Sequence, residues 1–513
     1  MKIFQLKIMV PLASIAFVTL SSYTLEPNQG KTTASERSRP NIVLILADDL
    51  GYGDLQCNNA EAQTSTPHLN QLSKEGLRFT DAHSGSAVCT PTRYGILTGR
   101  YAFRTRLKRG VLGGYSPMLI EDNRYTVADL LKKAGYHTGV IGKWHLGLDW
   151  KGQDVDDLRA LGDSKRDLSP EGLDITADLT QGPNDLGFDY SYVIPASLDI
   201  APYIYLENGK PTERTLIDLV GNNNPRGVFW RSGKASPNFK IENTLDNLAE
   251  KAQAFLADAS KQKSPFFLYF PLTSPHTPWV PGKDFQGKSG AGIYGDFVGH
   301  TDHIVGMVLN TLQQLGLEEN TLVIFTSDNG ADWKPGDIEK YPAHRANYIY
   351  RGEKSDIWEG GHRVPFLIRW PAAFKEARTV AQTLCLTDML ATFAGITKQK
   401  LPANSGQDSF DFSPLLTSKA SSKVIRQSTI HHSIDGMFAI RKGKWKYIEG
   451  QGSGGWSKDE SATKNLTAQL YNMEADPRET TNLVEQQPKI AAELKALLTR
   501  QREQGFSRPM AKK

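Results

Sequence analysis

Two pairs of polar residues follow apolar segments and could together bind a metal ion. In chain order, the segments and pairs are Ile42–Ala47 before Asp48 and Asp49, and Leu322–Thr326 with Ser327 before Asp328 and Asn329. Ligands of open α/β sheets bind beyond the carboxyl ends of the strands. Two such pairs, far apart in sequence, suit one hard divalent cation with oxygen ligands. The alternative is that each aspartate caps the helix or turn that follows it.

Cys89 lies in a segment that could hold a nucleophile beside an anion. A helix is predicted to start just after it, with Pro91 near the first turn and Arg93 one turn further on. Free backbone N–H groups and the positive end of the helix dipole would face the sulfur and favour a negative charge there. The segment therefore predicts an anion site with a nucleophile, and an inert buried cysteine is the alternative.

Two further predicted strands end in groups that bind anions or transfer protons. His137–Ile141 leads into Lys143 and His145, and Phe266–Leu272 leads into His276. We expect these side chains to join the two polar pairs beyond the carboxyl ends of the strands. A solvated lysine and a merely structural histidine are the alternatives.

Apolar, β-branched runs and helical patterns alternate along the chain. The predicted buried strands are Ile42–Ala47, His137–Ile141, Phe266–Leu272, Leu322–Thr326 and Phe366–Ile368. The predicted helices are one capped by Thr126 and stopped by Gly135, Asn243–Ala259, and His300–Leu315 before Gly316. This alternation predicts a mostly parallel sheet covered by helices on both faces. Residues 150–240 have weak periodicity and many turn signals, which predicts loops over the sheet.

The pattern changes after about residue 375. Met437–Ile448 predicts a hairpin that turns near Lys442 and Gly443, and Pro488–Gly505 predicts an amphipathic helix. We therefore expect an α/β domain with a large mixed, mostly parallel sheet over residues 40–375. A small C-terminal α+β subdomain with an antiparallel sheet is expected over residues 376–513.

Composition excludes several classes of protein. With 60 Lys+Arg against 56 Asp+Glu, the net charge of +4 gives too weak a field for a nucleic-acid binder. A hydrophobic share of 39% and a charged share of 23% exclude a disordered, collagenous or multi-span membrane chain. Three cysteines exclude a disulfide-built scaffold. Cys57 and Cys385 are predicted to be buried thiols, and a disulfide between them stays open.

The first residues predict export from the cytoplasm. Lys2 and Lys7 precede the apolar run Ile8–Leu20, which is too short to span a bilayer but suits a signal peptide. We expect a Sec-type signal peptide over residues 1–23 and a linker over 24–39. Without a cysteine for a lipid anchor, the mature protein is expected in the periplasm or secreted, with no stable membrane insertion. An uncleaved membrane anchor is the alternative.

The motifs together resemble the type I sulfatases of the alkaline-phosphatase superfamily. Cys89-Thr90-Pro91-Thr92-Arg93, followed by Leu97-Thr98-Gly99-Arg100, is similar to the family signature, whose cysteine is oxidised to Cα-formylglycine. Other family-like blocks follow in order: Asp48-Asp49, Gly142–Gly147, Ser274-Pro275-His276, Ser327–Gly330, Arg351–Lys354 with Glu359-Gly360-Gly361, and Leu470–Leu483. The resemblance covers residues 40 to 500 and is nearest to N-acetylgalactosamine-6-sulfatase-like and bacterial polysaccharide sulfatases. It implies an alkaline-phosphatase-like fold and a sulfuric ester hydrolase.

The resemblance also implies a metal site and a nucleophile. The implied ligands of one Ca²⁺ are Asp48, Asp49, Asp328, Asn329 and formylglycine 89. One hydroxyl of the hydrated aldehyde attacks sulfur, while the cation and Arg93 stabilise its oxyanion form. A plain serine or cysteine lacks the second hydroxyl, which is the chemical reason for the modification.

The implied roles of the remaining residues concern the sulfate group and two protons. Lys143 and Lys354 hold sulfate oxygens, since their positive charges meet the charge spread over the transferring group. His276 protonates the departing sugar or aryl oxygen. His145 assists loss of a proton from the second hydroxyl, so that sulfate is expelled and the aldehyde returns.

The implied partners are a sulfated carbohydrate of algal or host origin and a formylglycine-generating maturation enzyme. Substrate choice is expected to lie in the loops Arg100–Tyr115, 149–235 and Trp333–Tyr350. The first loop is basic, which suits an anionic glycan, although a solvated face is an equal alternative. Candidate sugar contacts are Arg104, Asp199, Tyr203, Trp333, His344 and Arg345.

Two other functions compete with the sulfatase. One is a phosphonate or phosphate monoester hydrolase of the same superfamily, although we find no second metal site of the kind that its phosphatases use. The other is a non-catalytic glycan-binding module, which would need a missing nucleophile or ligand. Gly290–Gly295 spells G-x-G-x-x-G, but a polar loop precedes it instead of a strand, so no nucleotide site is predicted there.

Overall fold

The computed structural model describes residues 39–152, 172–416, 424–458 and 466–509. The predicted signal peptide over residues 1–23 and nearly all of the linker lie outside these ranges. Within them, no helix is long and apolar enough to cross a membrane.

Strands and helices alternate through the first two thirds of the chain, as the sequence predicts. The described strands are β1 (Asn41–Asp48), β2 (Leu77–Phe79), β3 (Ala82–His83), β4 (His137–Lys143), β5 (Tyr190–Ile194), β6 (Leu206–Glu207), β7 (Lys210–Pro211), β8 (Ile217–Leu219), β9 (Gly233–Ala235), β10 (Phe266–Pro275), β11 (Thr321–Ser327), β12 (Phe366–Arg369), β13 (Arg378–Val380), β14 (Leu384–Cys385), β15 (Thr429–His432), β16 (Phe438–Lys442), β17 (Trp445–Ile448) and β18 (Gln469–Asn472). The described α-helices are α1 (Pro67–Lys74), α2 (Cys89–Thr98), α3 (Val127–Lys133), α4 (Thr244–Ala259), α5 (Gly292–Gln314), α6 (Pro335–Lys340), α7 (Glu359–His362), α8 (Met389–Thr397) and α9 (Pro488–Glu503).

A ten-stranded mixed sheet forms the centre of the fold. Its strand order is β13-β2-β12-β11-β1-β10-β4-β5-β6-β7. The five middle strands, from β11 to β5, run parallel, whereas β12, β6 and β7 pair antiparallel with their neighbours. The predicted mixed, mostly parallel sheet is therefore confirmed, and the carboxyl ends of its middle strands meet at one edge.

Helices cover both faces of the sheet. Successive side chains of a strand point to opposite sides, so one strand can pack against helices on both faces. In β1, Leu44 belongs to a buried cluster with side chains of α3 and α8. Its neighbours Val43 and Ile45 belong to a second buried cluster with side chains of α4 and α5. The predicted helix after Thr126 is confirmed, since the Thr126 hydroxyl accepts from the N–H of Asp129 and caps α3.

Helix α5 begins earlier than predicted, at Gly292 instead of His300. Gly295 and Gly299 lower the intrinsic helix propensity of this segment, but burial of Tyr294 and Phe297 against the sheet outweighs that loss. The G-x-G-x-x-G sequence thus leads into the first turn of α5, and no strand directly precedes it.

The prediction of loops over residues 150–240 is wrong, since β5, β6 and β7 extend the large sheet and β8 pairs with β9. Of these strands, β5 is the one that borders β4. This strand pairs in parallel with β4, and Val193 lies opposite Gly142. Only five residues long, it alternates aromatic and small side chains, so its apolar pattern is too short to stand out from the surrounding turns. Its position matters because it flanks the strand that carries Lys143.

The C-terminal part forms a separate antiparallel sheet in the order β15-β16-β17-β18. The predicted hairpin is confirmed as β16 and β17, with Gly443 at φ +56° in the turn. Leu494 and Leu498 of α9 pack against this sheet. The chain between residues 378 and 416 belongs elsewhere, because β13 joins the large sheet and α8 packs in its core.

All three cysteines lie in the described ranges and carry free thiols. Cys57 and Cys385 therefore form no disulfide, the possibility that the sequence left open. Cys385 is buried as predicted, whereas Cys57 is only partly buried.

Substitution of Gly142 can test how tightly the backbone before Lys143 is packed. Gly142 has φ +134°, and a Cβ there would lie 1.8 Å from the carbonyl oxygen of Pro271. We expect Gly142→Ala to lower the free energy of unfolding by more than about 2 kcal/mol. Gly316→Ala is the matched control, since Gly316 also has positive φ (+67°) but a Cβ there would meet nothing within 4 Å. For this variant we expect a loss of about 1 kcal/mol in the free energy of unfolding. Equal losses in chemical denaturation would contradict the steric argument.

Candidate active site

Polar side chains from distant parts of the chain meet at the carboxyl ends of the middle strands. The catalytic and metal-binding candidates are placed as follows: Asp48 and Asp49 at the end of β1, Asp328 and Asn329 after β11, Lys143 and His145 at and after β4, His276 after β10, Cys89 and Arg93 in the first turns of α2, and Lys354 shortly before α7. All are buried. The structure thus brings together every catalytic and metal-ligand residue that the sequence predicts.

Oxygen atoms and a sulfur atom converge at the centre of this site. The Asn329 side-chain amide donates to Oδ1 of Asp49 at 2.7 Å, and the N–H of Asp49 donates to Oδ1 of Asp328 at 3.2 Å. Sγ of Cys89 lies 3.6 Å from Oδ1 of Asp48. One ligand-type atom from each of Asp48, Asp49, Cys89 and His276 lies within 4.8 Å of the others. These side chains can surround a single ion.

The donor set fits a hard divalent cation. Oδ1 of Asn329 is buried and has no hydrogen-bond partner among the described residues. An amide oxygen left without a donor costs free energy, and a metal ion is a group that satisfies it. With the carboxylates of Asp48, Asp49 and Asp328 beside it, the site offers the oxygen ligands that Ca²⁺ and Mg²⁺ prefer.

Three basic side chains balance the charge of the carboxylates. Arg93 donates from Nε and Nη2 to Oδ2 of Asp328, at 3.0 and 2.7 Å, and from Nη1 to the carbonyl oxygen of Lys143. Nζ of Lys143 lies 2.7 Å from Oδ2 of Asp48. Nζ of Lys354 lies 2.7 Å from Oδ2 of Asp49. The two lysines place positive charge where a sulfate group could bind.

Burial and these charges set the protonation of the central groups. Burial opposes ionisation of Asp48, but Lys143, His276, Arg93 and Lys354 outweigh it and hold the pKa of this carboxyl well below its usual value. Burial raises the pKa of the Cys89 thiol to about 12, although Lys143 and Lys354 oppose the change. The helix dipole therefore does not produce a thiolate here. At neutral pH an unmodified Cys89 is a protonated thiol and a weak nucleophile.

The two histidines differ in their surroundings. Nε2 of His276 lies 3.6 Å from Oδ2 of Asp49, and Nδ1 is hydrogen-bonded to the carbonyl oxygen of Thr277. Nε2 of His145 donates to the carbonyl oxygen of Leu112 at 2.8 Å, which leaves Nδ1 as a buried acceptor without a partner among the described residues. Burial, with Lys143 and Arg93, lowers the pKa of His145 well below its usual value. His145 is thus neutral and can accept a proton at Nδ1.

Comparison with known proteins identifies the family. A sulfatase family model matches residues 40–399. The chain belongs to the sulfatase family. It is 36% identical to N-acetylgalactosamine-6-O-sulfatase of Bacteroides thetaiotaomicron over 527 aligned positions, which cover 95% of this chain and 97% of that protein. It is 34% identical to human arylsulfatase A over 472 positions, which cover 87% and 83%.

A solved structure shares both fold and sequence with this sulfatase. It comes from work on the metabolism of multiple glycosaminoglycans by Bacteroides thetaiotaomicron and superposes with a TM-score of 0.77 at 34% identity. The match covers 90% of this chain and 99% of that one. The predicted fold is confirmed, and the protein is a hydrolase that acts on sulfate esters.

Asp199, one of the predicted sugar contacts, lies beside His276. Its Oδ1 is 4.0 Å from Nδ1 of His276, and its Oδ2 accepts from Nη1 of Arg231 at 2.5 Å. Tyr203 is buried beside them and donates its hydroxyl to the carbonyl oxygen of Arg231. Arg231 was not predicted from the sequence, because it lies in a stretch without periodicity.

The other four predicted sugar contacts lie in different surroundings. His344 is buried with Nε2 at 2.9 Å from Asp54, and Trp333 packs edge-on against it. Arg345 is exposed. Arg104 forks onto the carboxylate of Asp408 at 2.8 and 2.9 Å. Contact between a sugar and any of these four residues stays a prediction.

A second buried cluster consists of His83, His362 and His431. The rings of His362 and His431 are stacked, with centroids 3.9 Å apart and 6° between their planes, so their in-plane lone pairs do not converge on one ion. The Lys446 ammonium also lies 3.0 Å from Nε2 of His362. His431 donates from Nδ1 to the carbonyl oxygen of Ser84 at 3.0 Å. We therefore interpret the cluster as support for the loop before Cys89.

Substitution of Arg93 can test what its hydrogen bonds to Asp328 contribute to stability and activity. Arg93→Lys keeps the positive charge but loses the fork onto Asp328, so we expect a loss of about 1–3 kcal/mol in the free energy of unfolding. The rate of sulfate-ester hydrolysis should fall about 100-fold. Arg369→Lys is the control, because Arg369 pairs with Glu75 and Glu318 away from the site. If both variants behave alike in denaturation and activity assays, the fork contributes nothing specific.

Proposed function

We propose that this sulfatase removes sulfate from a sulfated carbohydrate by means of a formylglycine made from Cys89 and one bound Ca²⁺. The observation that carries the proposal is the convergence of Cys89 with the side chains of Asp48, Asp49, Asp328 and Asn329 at the start of α2. The similarity to an N-acetylgalactosamine-6-O-sulfatase supports a sugar sulfate, from a glycosaminoglycan fragment or an algal polysaccharide, as the substrate.

The proposed Ca²⁺ would be held by the four oxygen-bearing side chains and by residue 89. When bound, it would supply positive charge that withdraws electrons from the sulfate group. The unpartnered Oδ1 of Asn329 and the ionised carboxylate of Asp48 support an ion at this position. Arg93 holds Asp328 by two hydrogen bonds and so fixes one ligand against rotation.

The proposed oxidation of Cys89 would replace a weak nucleophile by a strong one. The thiol is buried, and its pKa of about 12 leaves little thiolate. A hydrated aldehyde offers one hydroxyl to attack sulfur and a second whose proton can be removed afterwards. A formylglycine-generating maturation enzyme is the proposed partner, and location in the periplasm or outside the cell remains a prediction from residues 1–23.

Protein side chains position the sulfate and transfer the protons. Lys143 and Lys354 would bind sulfate oxygens and meet the negative charge that shifts during transfer. His276, in its protonated form, would donate from Nε2 to the departing sugar oxygen. Nδ1 of His145 would accept the proton of the second hydroxyl, since its Nε2–H is already donated to Leu112. This last transfer releases sulfate and restores the aldehyde.

Asp199 and Arg231 are the proposed contacts to the sugar hydroxyls. Both lie beside His276, which is the group proposed to protonate the leaving oxygen. Their paired charges offer one acceptor and one donor to neighbouring hydroxyl groups. The pair would distinguish sugars by the orientation of the hydroxyl groups on the ring that bears the sulfate ester.

The nucleophile and the metal can be tested together. We expect purified enzyme to release sulfate from N-acetylgalactosamine 6-sulfate, to lose activity with a calcium chelator and to regain it with Ca²⁺. The peptide with residue 89 should be roughly 18 Da lighter than with cysteine. Cys89→Ala should lose more than about 1,000-fold in rate. Cys57→Ala, which alters a partly buried thiol elsewhere, is the control.

Three results would contradict this proposal. They are an unmodified thiol in active enzyme, activity that survives complete removal of metal, and faster hydrolysis of an aryl phosphate than of the matching aryl sulfate. The last result would favour the phosphate monoester alternative.

The role of His276 predicts a dependence on the leaving group. A sugar alkoxide needs a proton to depart, whereas 4-nitrophenolate does not. We therefore expect His276→Ala to lower kcat for the sugar sulfate about 100-fold or more, and for 4-nitrophenyl sulfate much less. His276→Gln, which keeps a donor of similar size, serves as the comparison. Equal losses on both substrates would assign His276 to binding or structure.

A further inference from the structure

Trp456 presents an exposed indole close to Lys354 of the candidate active site. Trp456 has 42% of its surface exposed, a large share for a tryptophan. The centre of its ring lies 5.8 Å from Nζ of Lys354, which itself lies 2.7 Å from Oδ2 of Asp49. The Lys354 ammonium thus lies between this ring and Asp49, one of the proposed metal ligands. Trp456 was not predicted as a site residue from the sequence.

Backbone hydrogen bonds fix the indole at this position. The N–H of Trp456 donates to Oγ of Ser355 at 2.9 Å, and the N–H of Ser457 donates to Oδ1 of Asp356 at 3.1 Å. Gly455 lies so close that a Cβ there would be 2.5 Å from the carbonyl oxygen of Ser355. The segment before Ser457 is therefore docked on the loop that carries Lys354, and the backbone that carries the indole is held in place.

Lys334 lies beside the indole, and Glu353 lies near Lys334. Nζ of Lys334 lies 4.8 Å from the ring centre and 3.5 Å from Oδ1 of Asp332, and its side chain is 42% exposed. Glu353 is 4% exposed, and its Oε2 has no hydrogen-bond partner among the described residues. Burial, with Asp332 nearby, raises the pKa of Glu353 to about 8, so at neutral pH this carboxyl can also donate a hydrogen bond.

We propose that Trp456, Lys334 and Glu353 form a sugar-binding subsite next to the sulfate-binding centre. The apolar C–H face of a pyranose ring packs on the indole, as apolar surface packs on aromatic rings in general. Lys334 binds an anionic group of that sugar, a carboxylate or a second sulfate, and Glu353 bonds one of its hydroxyls. The inference rests on the proposed carbohydrate substrate and adds to it a preference for glycans with a second negative charge.

The experiment compares Trp456→Ala and Lys334→Gln with wild type on three substrates. These are 4-nitrophenyl sulfate, N-acetylgalactosamine 6-sulfate and a disaccharide that joins a uronate to N-acetylgalactosamine 6-sulfate. Trp456→Ala should lower kcat/KM for the disaccharide about tenfold or more, mainly through KM, and leave 4-nitrophenyl sulfate within about twofold. Lys334→Gln should reduce the preference for the disaccharide over the monosaccharide.

Two controls separate binding from structure. Trp456→Phe keeps an aromatic face and should restore most of the loss. Trp445→Ala removes a tryptophan that also lies near a lysine, Lys444, in the C-terminal sheet, and it should leave the ratio between substrates unchanged. Direct titration of the disaccharide into Cys89→Ala protein measures affinity without turnover.

The subsite and the proposed function can fail separately. If wild type cleaves the sugar sulfates and Trp456→Ala does so equally well, the subsite is overturned and the function stands. Equal losses on 4-nitrophenyl sulfate and on the disaccharide overturn it too, since they assign Trp456 to structure. If wild type cleaves only aryl sulfates, the proposed substrate is wrong, and the absence of disaccharide binding in the titration overturns the subsite as well.

Discussion

Charge compensation in a buried place is the constraint on which the rest of the structure depends. Three carboxylates lie at the sheet edge with almost no solvent, and an unpaired buried carboxylate costs several kcal/mol. Arg93, Lys143 and Lys354 supply the opposite charges from a helix, a strand and a loop. Each basic side chain must lie beside its carboxylate. A change in the strand order or in the start of α2 would therefore leave a buried charge unpaired.

The C-terminal sheet helps to position the site, because it is connected by backbone hydrogen bonds to the loop before Cys89 and, through it, to the loop with Lys354. The N–H of Ala87 donates to the carbonyl oxygen of His432 on β15, and the carbonyl oxygen of Ala87 accepts from the N–H of Ser355. The loop before Cys89 and the loop with Lys354 are therefore tied to each other and to the smaller sheet. The C-terminal part thus supports the candidate active site, although the candidate catalytic and metal-binding residues all lie before it.

The parts of the site that follow buried strands could be predicted from the sequence. A parallel strand is a near-continuous apolar run, so its first polar residues, such as Asp48 and Asp328, mark the carboxyl edge. The early start of α5 was missed because burial outweighed the two glycines that argued against a helix. Arg231 and Trp456 carry no such signal, since loop packing alone brings them to the site. The family resemblance supplied Lys354 and the roles, which spacing alone did not.

Because Cys89 is buried, another protein can modify its side chain only before folding is complete. Only 2% of this residue is exposed, and the large sheet, α2 and the Lys354 loop enclose it. Another protein can reach its side chain only while the chain is still extended or partly unfolded. Under the proposed mechanism, a chain that folds around an unmodified thiol would be stable but inactive. The fraction of active molecules would then depend on the rate of modification relative to the rate of folding.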